Sequence, residues 1–304
     1  PHPVPPVGSG SRTVLIVHEA SDDTAKFGGL LVLLRTGTNQ QYLKSKSHTL
    51  VILDDDATDS AGTRAAMLVK YSAEDKVQAM SDSEIAECIE RIDSEHSGAE
   101  MLITRIYDQK REGSCVAQSC AQANQIIQAR EVGKSEVVQL SAMSLYKRIG
   151  RSSSSGATVA SGLKEMRTRG LLPLDNDENK SKYGDQVMPN TGFRNPYPSE
   201  WEKTAKQFRI AEYQIIRSIA GIWTALCKRE PVIVGREGHS ICYTTPIIHK
   251  GRRAAQYANS WSENWGFADA GFKGGFGADT ESQVRKSASW AVAVRSLVRR
   301  KRWS

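Results

Sequence analysis

Gln109-Lys110-Arg111-Glu112-Gly113-Ser114-Cys115-Val116-Ala117 is the stretch on which the reading of this chain turns. Gly113-Ser114 is a turn and N-cap signal. The residues after it, Cys115 to Arg130 (CVAQSCAQANQIIQAR), hold strong helix formers and neither Gly nor Pro, which predicts a helix. Cys115 then stands at the helix N-terminus, where the macrodipole and free N–H groups favour a thiolate over a thiol. A thiolate is the attacking species in cysteine nucleophilic catalysis. Gln109 lies just upstream, and its side-chain amide is placed to join the Cys115 backbone N–H as an oxyanion donor.

A cysteine at a helix start is by itself a modest signal, because buried structural cysteines are common. Two later segments strengthen it. Pro231 to Val234 (PVIV) reads as a core strand, and Gly235-Arg236-Glu237-Gly238-His239-Ser240-Ile241 comes next. A Gly directly before His239 lets backbone and ligand approach closely. Further on, Ala254 to Ala258 leads into Asn259-Ser260-Trp261-Ser262-Glu263-Asn264-Trp265-Gly266-Phe267. An Asn carbonyl can accept the histidine ring N–H and fix its tautomer, and Trp261, two residues on, can cover that bond from water.

In that order the three segments resemble the papain family of cysteine peptidases. The family has a Gln six residues before the cysteine, Gly-Ser-Cys at a helix start, Gly-His on a later strand, and Asn-Ser-Trp followed by Trp-Gly. Gln109 stands six residues before Cys115, and His239 and Asn259 lie 124 and 144 residues beyond it. Leu140-Ser141, Leu145-Tyr146 and the run from Gly156 through Leu163 to Gly170 look like landmarks of the family's helical half. The resemblance covers residues 101–290, about two thirds of the chain. It implies an α+β, two-lobed fold in which a helical lobe carrying Cys115 packs on a β-barrel-like lobe carrying His239. It also implies roles: Cys115 as nucleophile, His239 as acid/base, Asn259 as the orienting residue, Gln109 with the Cys115 N–H as the oxyanion hole, and Trp261 as the shield. The reaction would be acyl transfer to a thioester, then hydrolysis, on a peptide or protein substrate, with no cofactor and no metal.

The departures from the family pattern carry information. Glu112 stands where a disulfide cysteine is common, and Val116 where an aromatic residue usually follows the nucleophile. The stretch from Pro231 to His239 is short, so a loop that helps wall the cleft is missing. That shortness leaves open a catalytically silent papain-fold component of a large assembly such as a virus particle, while the complete Cys/His/Asn/Gln set suits a transpeptidase or amidase on the same site as well as a peptidase. Cys120 and His249 are the competing nucleophile and base. Cys120 falls inside the predicted helix with Ser114, not Gln, six residues before it. His249 falls in a Lys/Arg-rich turn. Cys88, Cys227 and Cys242 read as core residues.

The five cysteines form no CxxC pair, which argues against zinc and redox chemistry and for free thiols. No apolar run reaches eighteen residues, so no membrane span is expected. The Pro-rich start lacks the basic and apolar regions of a secretory signal, and the expected setting is cytoplasmic or an intracellularly assembled particle. Charge is uneven: residues 12–100 hold nine basic and sixteen acidic residues, a net of −7, while residues 101–304 hold 32 basic and 18 acidic, a net of +14. This predicts two units with opposite surfaces, able to attract each other. The expected division is a flexible arm (1–11), a small acidic α/β domain (12–100), a peptidase domain (101–294) and a basic tail (295–304) suited to an anionic partner.

Within the acidic unit, Arg12 to Val17 and His48 to Leu53 read as buried strands. Ala25 to Tyr42 and Gly62 to Tyr71 have helical character, and Ser83 to Glu95 is amphipathic with Ile85, Cys88, Ile89 and Ile92 on one side. The outline is similar to a thioredoxin-like domain without its CxxC. Asp54-Asp55-Asp56 reads as a solvated turn after a strand rather than a cation site.

Overall fold

The computed structural model describes residues 79–298 apart from 237, 269–273 and 288–290. Before them it describes four strands: β1 (Thr13–His18), β2 (Leu31–Leu33), β3 (Lys44–Ser45) and β4 (His48–Ile52). The chain divides into two compact units, Pro1–Val77 and Gln78–Ser304. In the first, the strands form an antiparallel sheet in the order β2-β1-β4-β3, with Val14 opposite Ile52 and His18 opposite His48. Leu31–Leu33 is a strand, whereas the sequence predicts helical character across Ala25 to Tyr42. The aliphatic run Leu30 to Leu34 has no polar return at helical spacing, so both of its faces suit a strand. The expected helix at Gly62 to Tyr71, the Asp54–Asp56 turn and the terminal arm lie outside the described residues.

The second unit opens with α1 (Asp82–Glu95). Its start is set by a capping box: Ser81 Oγ accepts from the Glu84 N–H, and the Glu84 carboxylate accepts from the Ser81 N–H at 2.7 Å. Ile85, Cys88, Ile89 and Ile92 form its buried face, and each isoleucine contributes roughly 1.5–3 kcal/mol by leaving water. Ile85 and Ile89 pack with Trp223 and Leu226 of a later helix and with Val232, Ile241 and Tyr243 of the sheet. The charge pattern divides the chain at residue 100; by its contacts α1 belongs with the elements C-terminal to it.

Next come α2 (Cys115–Val132), α3 (Ala142–Ile149), α4 (Val159–Thr168) and α5 (Asp177–Tyr183). α2 is the centre of the unit. Every residue from Cys115 to Ala129 is buried, although the face includes Gln118, Ser119, Gln122, Asn124, Gln125 and Gln128. Burying amides is costly unless they are bonded, and most of these are. Asn124 donates to the Phe208 carbonyl at 2.9 Å, and Gln128 pairs with both the N–H and the C=O of Val138 at 3.1 Å.

A six-stranded antiparallel sheet packs on this helical half. Its strands are β5 (Ile210–Ile216), β6 (Val232–Arg236), β7 (His239–His249), β8 (Arg252–Ala258), β9 (Phe276–Thr280) and β10 (Ala291–Leu297). Their order is β5-β10-β6-β7-β8-β9. α6 (Ile219–Cys227) and α7 (Glu281–Ser287) cover it beside α1. Residues 295–297, assigned by sequence to a basic tail, complete β10, and Arg295 pairs with Glu230 at 3.4 Å.

Candidate active site

Cys115 is the first residue of α2 and is 8% exposed. Ser114 holds the N-cap position, but its hydroxyl caps nothing; it accepts from Gln118 Nε2 at 3.0 Å. Gln118 Oε1 in turn accepts from Asn190 Nδ2 at 2.9 Å. The first N–H groups of α2 are thus left to the thiol. Burial pushes the Cys115 thiol up, and the N–H groups of Ser240, Val116 and Cys115 itself pull it back down. The helix start predicts only the downward pull; burial is the larger influence, so the resting group is a thiol.

His239 opens β7. The register sets Arg236 of β6 directly opposite it, so only two residues turn the hairpin. One is Gly238, at φ 71°. A Cβ there would meet nothing within 4 Å, so the glycine is needed for its left-handed backbone and not for the close approach expected from the sequence. His239 Nε2 lies 2.8 Å from Asn259 Oδ1. An amide oxygen only accepts, so Nε2 carries the proton and Nδ1 keeps its lone pair. Burial holds the His239 imidazole below its ordinary value; the bond to Asn259 opposes this and the Arg236 charge adds to it. The Trp261 indole stacks on the imidazole with ring centres 4.8 Å apart.

Asn259 is itself fixed from three sides. Its N–H donates to the Gly275 carbonyl at 2.9 Å, its Oδ1 also accepts from the Ser260 N–H at 2.8 Å, and it is 4% exposed. Gln109 belongs to the same construction. Its N–H donates to the Ser260 carbonyl at 2.9 Å, and its Oε1 accepts from Ser260 Oγ at 2.6 Å. Its Nε2 gives one hydrogen to the Glu112 carbonyl at 2.7 Å, which leaves the second for another acceptor. The loop before α2 and the Asn-Ser-Trp segment are therefore zipped together. The Ser240 N–H, adjoining His239, reaches the Cys115 thiol, and Ser240 Oγ lies 2.8 Å from Ser119 Oγ of α2.

Several members of the site are not readable in the sequence. Ser260 figures there only as part of a motif, yet it joins Gln109 to Asn259. Glu112 figures as a missing cysteine; its carboxylate accepts from the Gly192 N–H at 3.0 Å and the Phe193 N–H at 2.8 Å, fastening a second loop to the one before Cys115. Lys147 grips that loop from the other side, donating to the carbonyls of Phe193 and Asn195. Nothing local in the sequence pairs residues so far apart.

The competing residues lie elsewhere. Cys120 is fully buried inside α2, and burial pushes its thiol far up. His249 ends β7, stacked on Phe267 with ring centres 6.0 Å apart. Among the described residues no group of three His, Cys, Asp or Glu side chains could hold a metal ion, and no helix is long and apolar enough to cross a membrane.

No family model and no curated protein matches the chain. Among solved structures it is similar to the digestive procathepsin L2 proteinase from the larval midgut of Tenebrio molitor, with a TM-score of 0.50, 13% identity and 65% of each chain covered. It is also similar to the proform of the ragweed cysteine protease Amb a 11 (0.49, 15%, 66% of this chain and 65% of that one). A third is xylellain, a cysteine protease from Xylella fastidiosa (0.48, 18%, 64% and 83%). The chain thus spans 65% of the length of the two proforms. At 13% identity the likeness to the procathepsin is one of fold: the chain contains the papain-like arrangement of a helical half against an antiparallel sheet.

Proposed function

We propose that the chain is a cysteine peptidase that cleaves peptide bonds through a thioester on Cys115. The observation that carries the proposal is the orientation of His239: Nε2–H is spent on Asn259, Nδ1 keeps its lone pair, and the next N–H along the strand reaches the Cys115 thiol.

Both groups rest neutral, since burial raises the thiol and lowers the imidazole. His239 Nδ1 takes the Cys115 proton as sulfur attacks the scissile carbonyl carbon. The resulting imidazolium is stabilised by Asn259 Oδ1, which accepts from Nε2–H. The oxyanion that develops is met by the Cys115 N–H at the start of α2 and by the spare Gln109 amide hydrogen. As the C–N bond breaks, His239 returns its proton to the leaving amine, and the acyl group remains on sulfur. Water then attacks the thioester, giving a proton to Nδ1, and the thiol is restored as the acid leaves. Trp261 keeps solvent off the imidazole face throughout.

Brief treatment with iodoacetamide near pH 6, with mass-spectrometric mapping, tests the assignment. Alkylation selective for Cys115, with His239 Nδ1 taking the thiol proton as sulfur attacks the reagent, and its collapse in His239→Ala are the expected result, matched by turnover of a casein or peptide-library substrate. Indiscriminate labelling of all five cysteines would sink the proposal. Selective labelling without hydrolysis, but with transfer to an added amine, would reassign the site to transpeptidation.

A further inference from the structure

Arg236 ends β6, and the strand register places it directly opposite His239. Directly opposed residues in an antiparallel pair share a face of the sheet. The Arg236 guanidinium pairs with Asp279 of β9, whose side chain is 2% exposed. It also lies over the Tyr257 ring of β8, 4.8 Å from its centre. Tyr243 Oη donates to the same Asp279 oxygen at 2.6 Å, so the carboxylate is held from two strands.

Tyr257 leads back to the active site. Its ring is 6.1 Å from that of Trp265, Trp265 meets Trp261 edge-on at 5.2 Å, and Trp261 stacks on His239 at 4.8 Å. The contacts therefore close a circuit. Arg236 meets His239 once through the hairpin backbone and once through a file of three aromatic rings. We infer that Arg236 is a positioning residue for the His239 imidazole, fixing the hairpin that carries it and, through Tyr257, Trp265 and Trp261, the plane in which the ring lies. The inference rests on the peptidase reading above.

Charge supports the geometry. The titratable and charged groups of this cluster are Arg236 of β6, Tyr243 of β7, Tyr257 of β8 and Asp279 of β9, and the N–H next to His239 reaches the Cys115 thiol of α2. Asp108, whose backbone bridges to Trp261, is paired with Lys110 at 2.7 Å. Asp279 is committed to Arg236, and only Arg236 among these acts on His239 by charge, holding the imidazole down.

Two variants of the full chain separate positioning from mere support. Arg236→Met combined with Asp279→Asn removes the pair without stranding a buried carboxylate. Arg236→Lys keeps the charge but loses the flat guanidinium that covers Tyr257. The readouts are the pH–rate profile of Cys115 alkylation by iodoacetamide and the titration of the His239 ring protons by NMR, assigned with His239→Gln. In the double variant the imidazole should titrate at higher pH than in the parent, its ring-current shift from Trp261 should shrink, and alkylation should slow about tenfold. In Arg236→Lys the titration should stay in place while alkylation slows by about threefold. A double variant that loses only thermal stability, with titration, ring shift and rate profile unchanged, would overturn the inference. If that variant does not fold, an Arg236→Lys chain as reactive as the parent overturns it equally. If the parent shows no selective Cys115 labelling, the peptidase reading fails, and the His239 titration and ring shift still decide the role of Arg236.

Discussion

The helix that carries Cys115 and the hairpin that carries His239 each deliver one residue of the candidate site, and they hold it by different means. α2 is buried on all sides with a strongly polar face, and bonds from side-chain amides fix it: Asn124 to Phe208, Gln128 to Val138, Gln118 to Ser114 and Asn190. The buried positions of β6 are aliphatic (Val232, Ile233, Val234), those of β7 mix Ile241, Cys242 and Tyr243 with Ser240, Thr244 and Thr245, and the strand ladder holds both strands. Amide bonds fix rotation and register about a helix that hydrophobic contact alone would leave free to slide. A ladder already fixes register, so packing suffices for the hairpin. The two halves should therefore fail differently when altered.

The largest effect is expected on the sheet side, where backbone shape is irreplaceable. Gly266 sits at φ 76°, and a Cβ there would stand 2.0 Å from the Phe276 carbonyl oxygen. That oxygen accepts from the Phe267 N–H, and the same turn sets the loop behind Asn259. Gly266→Val should cost about 4 kcal/mol in urea unfolding. A cost under about 1 kcal/mol would mean that the loop bends aside freely. On the helix side, Gln128→Leu should cost about 3 kcal/mol, because it strands the N–H and C=O of Val138 without leaving a void. If the leucine variant is as stable as the parent, packing and not amide bonding holds α2, and the contrast between the halves disappears.

That contrast also explains how much is legible in the sequence. Helix α2 is readable from composition, and Cys115 from its place after Gly-Ser. Strand β6 is readable from its apolar run, and His239 and the Asn-Ser-Trp segment from the order of three motifs. Pairing at a distance is not legible. Ser260 meeting Gln109, or Glu112 meeting Gly192, depends on how loops fold back, which no local pattern encodes. The resting charge of Cys115 escapes the sequence for a related reason. The helix N-terminus is a local feature and burial is not. In the first unit Leu31–Leu33 turns on the same limit, since a short aliphatic run fits helix or strand until its neighbour is known.

A smaller effect probes the link between the halves at the loops around Cys115. Glu112→Gln keeps one acceptor for the N–H groups of Gly192 and Phe193 but removes the charge and the second oxygen. Thermal unfolding should report a loss of about 1 kcal/mol. A loss several times larger would make this carboxylate a main fastening of the helical half.

The smallest effect separates Cys115 and His239 by pH. Burial depresses the His239 imidazole below its ordinary value of 6.5, so its contribution to stability is complete above that value and is lost as pH falls through the folded-state value. Burial raises the Cys115 thiol above its ordinary 9.0, so its contribution is complete below that value and is lost as pH rises through the folded-state value. Both are intact between pH 6.5 and 9.0. One proton changes stability by at most about 1.4 kcal/mol per pH unit, so differences in slope are the observable. His239→Gln should flatten the stability profile on the acid side alone, and Cys115→Ala on the alkaline side alone. A His239→Gln profile as steep as the parent's below pH 6.5 would mean that the imidazole charges in the folded protein as readily as in the unfolded chain. Burial would then play no part in keeping the imidazole neutral, and the neutral start of the proposed mechanism would rest on ambient pH alone.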